Sequence, residues 1–229
     1  MSDSGANAPA AGDAAGQAWP DLPLFPLQTV LFPDGLLQLK VFEARYLDLI
    51  SHCLRSGAPF AVASIRHGSE VRSGVRSEVR GDPRSDAGKT RFERTAVLAH
   101  LQDVDAEQPG ILRVRCVGGQ RVRLGKPQQR DDGLWLADAL ASPPDLPAAV
   151  PPALAQAARA LALAIDSLAA QQQHPFLQPH RLDDAGWVAN RWCEILPISV
   201  AAKYRLMVLD EPALRLKLVD EFLRGKGVI

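Results

Sequence analysis

Cysteine is scarce in this chain. Three thiols occur in 229 residues (Cys53, Cys116 and Cys193), and none stands in a C-x-x-C pair. A disulfide framework or a zinc cage needs more ligands at closer spacing, so three reduced, buried thiols are predicted and no metal. An excess of either charge is also missing. Lys+Arg and Asp+Glu both number 26, for a formal net charge of zero. That balance argues against a surface built throughout for nucleic acid or anionic lipid. Long apolar runs are absent too. The most Ala/Leu-rich stretch, residues 153–170, is interrupted by Gln156, Arg159 and Asp166, which suits it poorly to a bilayer. The first eighteen residues contain no Lys, Arg or aromatic residue, whereas a secretory signal needs a basic start and an apolar core. A cytoplasmic protein with no membrane partner is the expectation.

Recognisable catalytic patterns are equally thin. There is no G-x-S-x-G elbow. The segment Gly81-Asp-Pro-Arg-Ser-Asp-Ala-Gly88-Lys89-Thr90 has the flavour of a phosphate loop. Six residues separate its glycines, however, and Pro83 stands where the first should be. The following residues 91–101 read as strand, whereas a phosphate loop leads into a helix. Ser199 and Lys203 are explained as a helix N-cap and an exposed helical face. His52 and Cys53 are neighbours on a helix and point about 100° apart. His67, His100, His174 and His180 lack metal-ligand spacing. His100 reads as a hydrogen-bonded structural histidine on a strand face with Leu98. No catalytic residue, cofactor or metal ligand emerges.

What is present is a clear change of period along the chain. Residues 1–19 hold too few large apolar side chains to offset the entropy of ordering, and a disordered tail is predicted. Residues 21–27 read as an extended segment whose prolines suit an edge strand or strand ends. Leu37, Leu39 and Val41 alternate with Gln38 and Lys40, a half-buried strand. The spacing of Phe42, Tyr46, Leu49, Ile50 and Cys53 then predicts a helix that stops at Gly57. Strands follow over 60–65, 95–104 and 134–139. Residues 111–117 and 120–124 alternate on either side of Gly118-Gly119 and predict a tight hairpin turning at the glycines. Five prolines punctuate residues 142–152, and helical period takes over from 153. One helix runs on a face of Leu154, Ala158, Leu161, Ile165 and Leu168. A second runs from Asp183 or Asp184 to Leu196, a third from the Ser199 cap, and a last one from Pro212 to Leu223. The implied division is a tail (1–19), a β-rich domain with one helix (20–142), a Pro-rich linker (143–152) and a helical subdomain (153–229).

Residues 66–94 form a basic exception, with eight Arg/Lys against five Asp/Glu and four glycines. They read as a long loop or extended hairpin. Arg72, Arg76, Arg80 and Arg84 recur at every fourth position and are the candidate contacts if the chain binds RNA. No aromatic residue lies between Phe60 and Phe92 to stack bases, so an RNA- or nucleotide-binding module using residues 66–94 is the second reading, not the first.

The run Leu22-Pro-Leu-Phe-Pro-Leu-Gln-Thr-Val-Leu-Phe-Pro-Asp-Gly-Leu-Leu-Gln-Leu-Lys-Val-Phe-Glu-Ala-Arg-Tyr46 closely resembles the opening of the Lon protease N-terminal domain family. The resemblance continues through residues 60–71, 114–124 and 133–137, then 194–199 and 209–215. Ala44 departs from the Pro often found between the Glu and the Arg, a change that favours helix. The resemblance implies an α+β fold, a PUA-like β pseudo-barrel followed by a helical bundle. In full-length Lon enzymes such a domain helps recognise unfolded or tagged substrates, with ATPase and Ser–Lys peptidase modules following it. This chain reaches Ile229 with neither. The expectation is a stand-alone, non-enzymatic domain whose partners are unfolded polypeptide segments or another protein. Of the motif, Phe42 and Tyr46 are expected to staple the helix to the barrel. Glu43 is expected in the first helical turn, and Arg45 is expected to pair with a carboxylate elsewhere. All four read as fold-defining, and no binding residue is singled out.

Overall fold

A computed structural model of the chain describes residues 16–67 and 90–229. The strands are β1 (Ala18–Leu27), β2 (Leu36–Val41), β3 (Phe60–His67), β4 (Arg91–Phe92), β5 (Thr95–Gln108), β6 (Ile111–Leu124), β7 (Gln128–Gln129) and β8 (Trp135–Ala141). Helix α1 (Ala44–Ser56) lies between β2 and β3. A single 3-10 turn and helices α2 (Ala155–Ala170), α3 (Ala185–Ile195), α4 (Val200–Met207) and α5 (Pro212–Gly225) complete the chain.

Shared alternation in five strands builds the barrel. Leu22, Leu24, Ala61, Ala63, Ala96, Leu98, Val122, Leu124, Ala137 and Ala139 point inward and form one buried cluster. Half of these side chains are alanine, which lets a narrow barrel fill without a void. The strands run in the order β2-β6-β5-β3-β1-β8-β7, and β6 also pairs β8, closing the ring. Along one edge, the first half of β6 carries β2 and its second half carries β8. Outward residues of the same strands, among them Phe25, Phe60, Val62, Val97 and Cys116, enter a larger core with the helices.

Three sequence expectations are corrected here. First, β6 runs straight through Gly118-Gly119, and the β5–β6 hairpin turns at Pro109-Gly110, where Gly110 has φ 80°. The paired glycines serve close approach instead. A Cβ on Gly118 would lie 2.1 Å from the Phe32 carbonyl oxygen, and one on Gly119 2.6 Å from His100 Nε2. Second, β1 is an interior strand, parallel to β3 and antiparallel to β8. The two ladders overlap only at Leu24, so Pro23 faces β8 alone and Pro26 faces β3 alone. The missing donors are thereby tolerated. Third, His100 is exposed; its ring lies beside Gly119 and takes no hydrogen bond among the described residues.

Two of the helices, α3 and α4, begin at side-chain caps. The Asp184 carboxylate accepts the Trp187 N–H at 2.7 Å, and Ser199 Oγ accepts that of Ala202 at 3.2 Å. Pro212 opens α5. The stretch Pro152–Ala170 is long and apolar enough by composition to cross a membrane. In the fold it buries Ala157, Ala158 and Leu161, and the Trp192 indole donates to the Ala157 carbonyl at 3.0 Å.

Three buried arginines fasten the helices and the Pro-rich segment to the barrel. Arg191 of α3, fully buried, donates to the carbonyl of Pro33 at 2.7 Å and to that of Asp34, and pairs with Glu194 at 2.9 Å. Arg215 of α5 pairs with Asp145 at 2.6 Å, and Arg121 of β6 reaches the same carboxylate at 2.9 Å. The Pro-rich segment is thereby pinned at Asp145, and again where Val150 N–H donates to the Asp183 carbonyl at 2.9 Å.

Candidate binding groove

Helix α1 buries Tyr46, Leu49, Ile50 and Cys53 against the core. Its flank carries Arg45, Asp48 and His52, spaced by three and four residues and therefore on one face. That face forms one wall of a groove of about 410 Å³. Asp21 and Pro23 of β1 and Leu136 of β8 line it from the sheet, and Arg130, Asp132 and Leu134 complete the lining. The lining thus mixes apolar side chains (Pro23, Leu49, Leu134 and Leu136) with charged ones. A smaller cleft of about 110 Å³ beside β7 shares Asp21, Arg130 and Leu136 with it.

Most of the cations here are engaged. The Arg45 side chain is only 8% exposed; it pairs with Glu43 at 2.7 Å and donates to the Gly133 carbonyl at 2.7 Å. Its guanidinium lies 4.6 Å from the centroid of the Tyr46 ring, which in turn stacks on Phe25 at 4.3 Å. Burial pushes the Tyr46 phenol up to about 12, so the ring works as packing and not as an acid. Arg130 pairs with Asp132 at 2.8 Å. Asp21 and Asp48 pair with no cation among the described residues. Asp21 sits in a bulge of β1 with φ 47°, its N–H donated to the Asp138 carboxylate at 3.2 Å.

The motif read from the sequence is therefore only partly at this site. Arg45 lines the groove, and Tyr46 supports it from behind. Phe42 precedes the helix and is 54% exposed. The reason is local: Glu43 is the N-cap, in extended conformation with ψ 133°, so Phe42 never joins the helical face of Tyr46. Phe25 takes the stacking role instead. Glu43 makes no capping hydrogen bond, and the carboxylate that Arg45 finds is this near neighbour and not a distant one. Arg72, Arg76, Arg80 and Arg84, like residues 81–89 of the glycine-lysine segment, lie outside the described residues.

The other candidate chemistries meet structural uses. Ser199 caps α4, while Lys203, half-buried and not exposed, donates its Nζ to the Glu194 carbonyl at 3.0 Å. His52 lies on the groove rim, while Cys53 is buried in the core. Burial pushes the Cys53 thiol up to about 11 and those of Cys116 and Cys193 up to about 12. A thiolate nucleophile is out of reach at such values. Among the described residues no cluster of three or more His, Cys, Asp or Glu side chains is placed to hold a metal. Sequence reasoning missed Asp21, Asp48 and Arg130, although the Arg45/Asp48/His52 spacing was a signal for a common face.

The family model described as the ATP-dependent protease La (LON) substrate-binding domain matches residues 21–225. A crystal structure of a Lon N-terminal domain protein from Xanthomonas campestris is similar, with 28% identity and a TM-score of 0.63, covering 89% of this chain and 96% of that one. The N-terminal domain of Mycobacterium avium complex Lon protease shares the fold at 13% identity and a TM-score of 0.59, covering 91% of this chain and 98% of its own. No curated protein matches the chain.

Proposed function

The chain belongs to the LON substrate-binding domain family, and from that premise we propose that it binds extended polypeptide segments of other proteins in the cytoplasm and does not cleave them. The family match over nearly the whole chain carries this reading. The groove between α1 and the β1/β8 wall supports it, since an open trough with an apolar lining and a polar rim suits side chains of an unfolded segment. The structural duties of Ser199, Lys203 and the three buried thiols support the non-catalytic half. Affinity is modest, because a disordered ligand loses chain entropy on binding.

The test is fluorescence anisotropy with a labelled polypeptide kept unfolded by reduction and alkylation with iodoacetamide. Saturable binding is expected, with the native form of the same polypeptide failing to compete. His52→Trp, which places a large ring on the rim without touching the core, should weaken binding severalfold. Casein should remain intact with or without ATP. Absence of binding, or casein cleavage abolished by Ser199→Ala, overturns the proposal.

A further inference from the structure

We propose that the α1/β1/β8 groove selects polypeptide segments in which a lysine or arginine neighbours a large apolar residue; this rests on the polypeptide-binding reading above and names the chemistry of its ligand. The apolar lining, Pro23, Leu49, Leu134 and Leu136, has no charge preference and takes the apolar side chain. The rim supplies the preference. On it, the guanidinium of Arg45 is held by Glu43 and the Gly133 carbonyl, and that of Arg130 by Asp132. A ligand carboxylate would have to compete with these intramolecular partners for either cation.

Two carboxylates are not spoken for in this way. Asp48 rises from the helix wall and Asp21 from the sheet wall, both exposed, and neither pairs with a cation among the described residues. A basic side chain lying in the trough has an unpaired carboxylate on each wall beside an apolar surface, where attraction is stronger than in open water. An acidic side chain meets the same charges with the opposite sign. In the adjoining cleft, Asp138 joins Asp21 against Lys126 and Arg130, so that cleft is not cationic overall. The protein has zero formal net charge, so a preference of this kind does not come from its overall charge.

Three labelled twelve-residue peptides test this, with identical leucines in a Gly/Ser background and differing only in three Lys, three Glu or three Gln. At low salt and pH 7.5, the Lys peptide should bind about tenfold more tightly than the Glu peptide, with the Gln peptide between them. Raising the salt should narrow the gap. Asp21→Asn/Asp48→Asn should remove most of it, by weakening the Lys peptide and tightening the Glu peptide. Asn is tolerated at the left-handed φ of residue 21, and Asp48 is an exposed helical position, so the variant keeps the fold. Asp166→Asn on α2, remote in sequence and on another element, should change nothing. Equal affinities for the three peptides, or discrimination that survives in the double variant, overturns the charge preference and leaves polypeptide binding standing. If none of the peptides binds, and the unfolded polypeptide of the preceding test does not bind either, the polypeptide-binding reading itself fails.

Discussion

The guanidinium of Arg191 lies 2.7 Å from the carbonyl oxygen of Pro33, joining the middle of α3 to the turn between β1 and β2. The side chain is 0% exposed and also meets the Asp34 carbonyl and the Glu194 carboxylate. Removing it leaves two carbonyls and the Glu194 carboxyl without their buried donor, which is costly. Arg191→Met should therefore lower unfolding stability by roughly 3 kcal/mol, read by urea denaturation. Because one core runs across the barrel face and the helices, barrel and helix signals should move together in a single transition. Separate transitions would show that the two parts fold independently.

Glu194 makes stability depend on pH. Burial, set against Arg191 and Lys203 and reinforced by Asp34, pushes its carboxyl from an ordinary value of 4.5 up to about 8. The folded state thus holds this proton more tightly than the unfolded chain does. The resulting stabilisation is fully present below pH 4.5 and is lost as pH rises through 8. Glu194→Gln cannot titrate. The wild-type minus variant stability should fall by more than about 1 kcal/mol between pH 5 and pH 8.5, followed by chemical denaturation at each pH. A flat difference would place an ionised Glu194 against Arg191 throughout.

The Phe32 carbonyl pressing on Gly118 sets up a comparison with the true turn. Gly118→Ala puts a methyl 2.1 Å from a backbone oxygen, and neither β6 nor the 32–35 turn can yield without breaking ladder bonds. A loss on the order of 3 kcal/mol is expected. Gly110→Ala meets open space and is strained only by its φ of 80°, which costs about 1 kcal/mol. If Gly110→Ala proved the more damaging, the strand assignment of residues 111–124 would be wrong.

How far the sequence is legible follows from the range of each interaction. Period-two and period-3.6 patterns are local, so the strand at Leu36–Val41, the helices and the caps at Asp184 and Ser199 stand where their residues predict. The Gly118-Gly119 pair misleads because glycine answers two needs, positive φ and close approach, and only the fold says which. Phe42 misleads because the helical face it extends on paper begins two residues later. Prolines in β1 suggest an edge because one-sided ladders on an interior strand are invisible without the partners. The groove itself joins residues near 21, 48 and 132, and no local pattern connects those three positions. Arg45, Asp48 and His52 were legible as one face of a helix, and their opposite wall was not.

The three thiols give a readout of opening that needs no engineered probe. Cys53, Cys116 and Cys193 are all buried and free, and each is pushed well above the ordinary thiol range by that burial. Alkylation requires a thiolate that an approaching reagent can reach, and the native fold supplies neither condition. Iodoacetamide at pH 8 should leave native protein unmodified by mass spectrometry while adding three adducts after denaturation. Cys116 and Cys193 lie in the core shared by barrel and helices, so their labelling should track unfolding of that core. Arg191→Met, which loosens the contact between α3 and the barrel turn, should label all three thiols faster in proportion to its lost stability. Rapid labelling of Cys193 alone in the native protein would instead show that α3 opens by itself, and the buried clamp between Arg191 and Pro33 would then not hold the helices to the barrel.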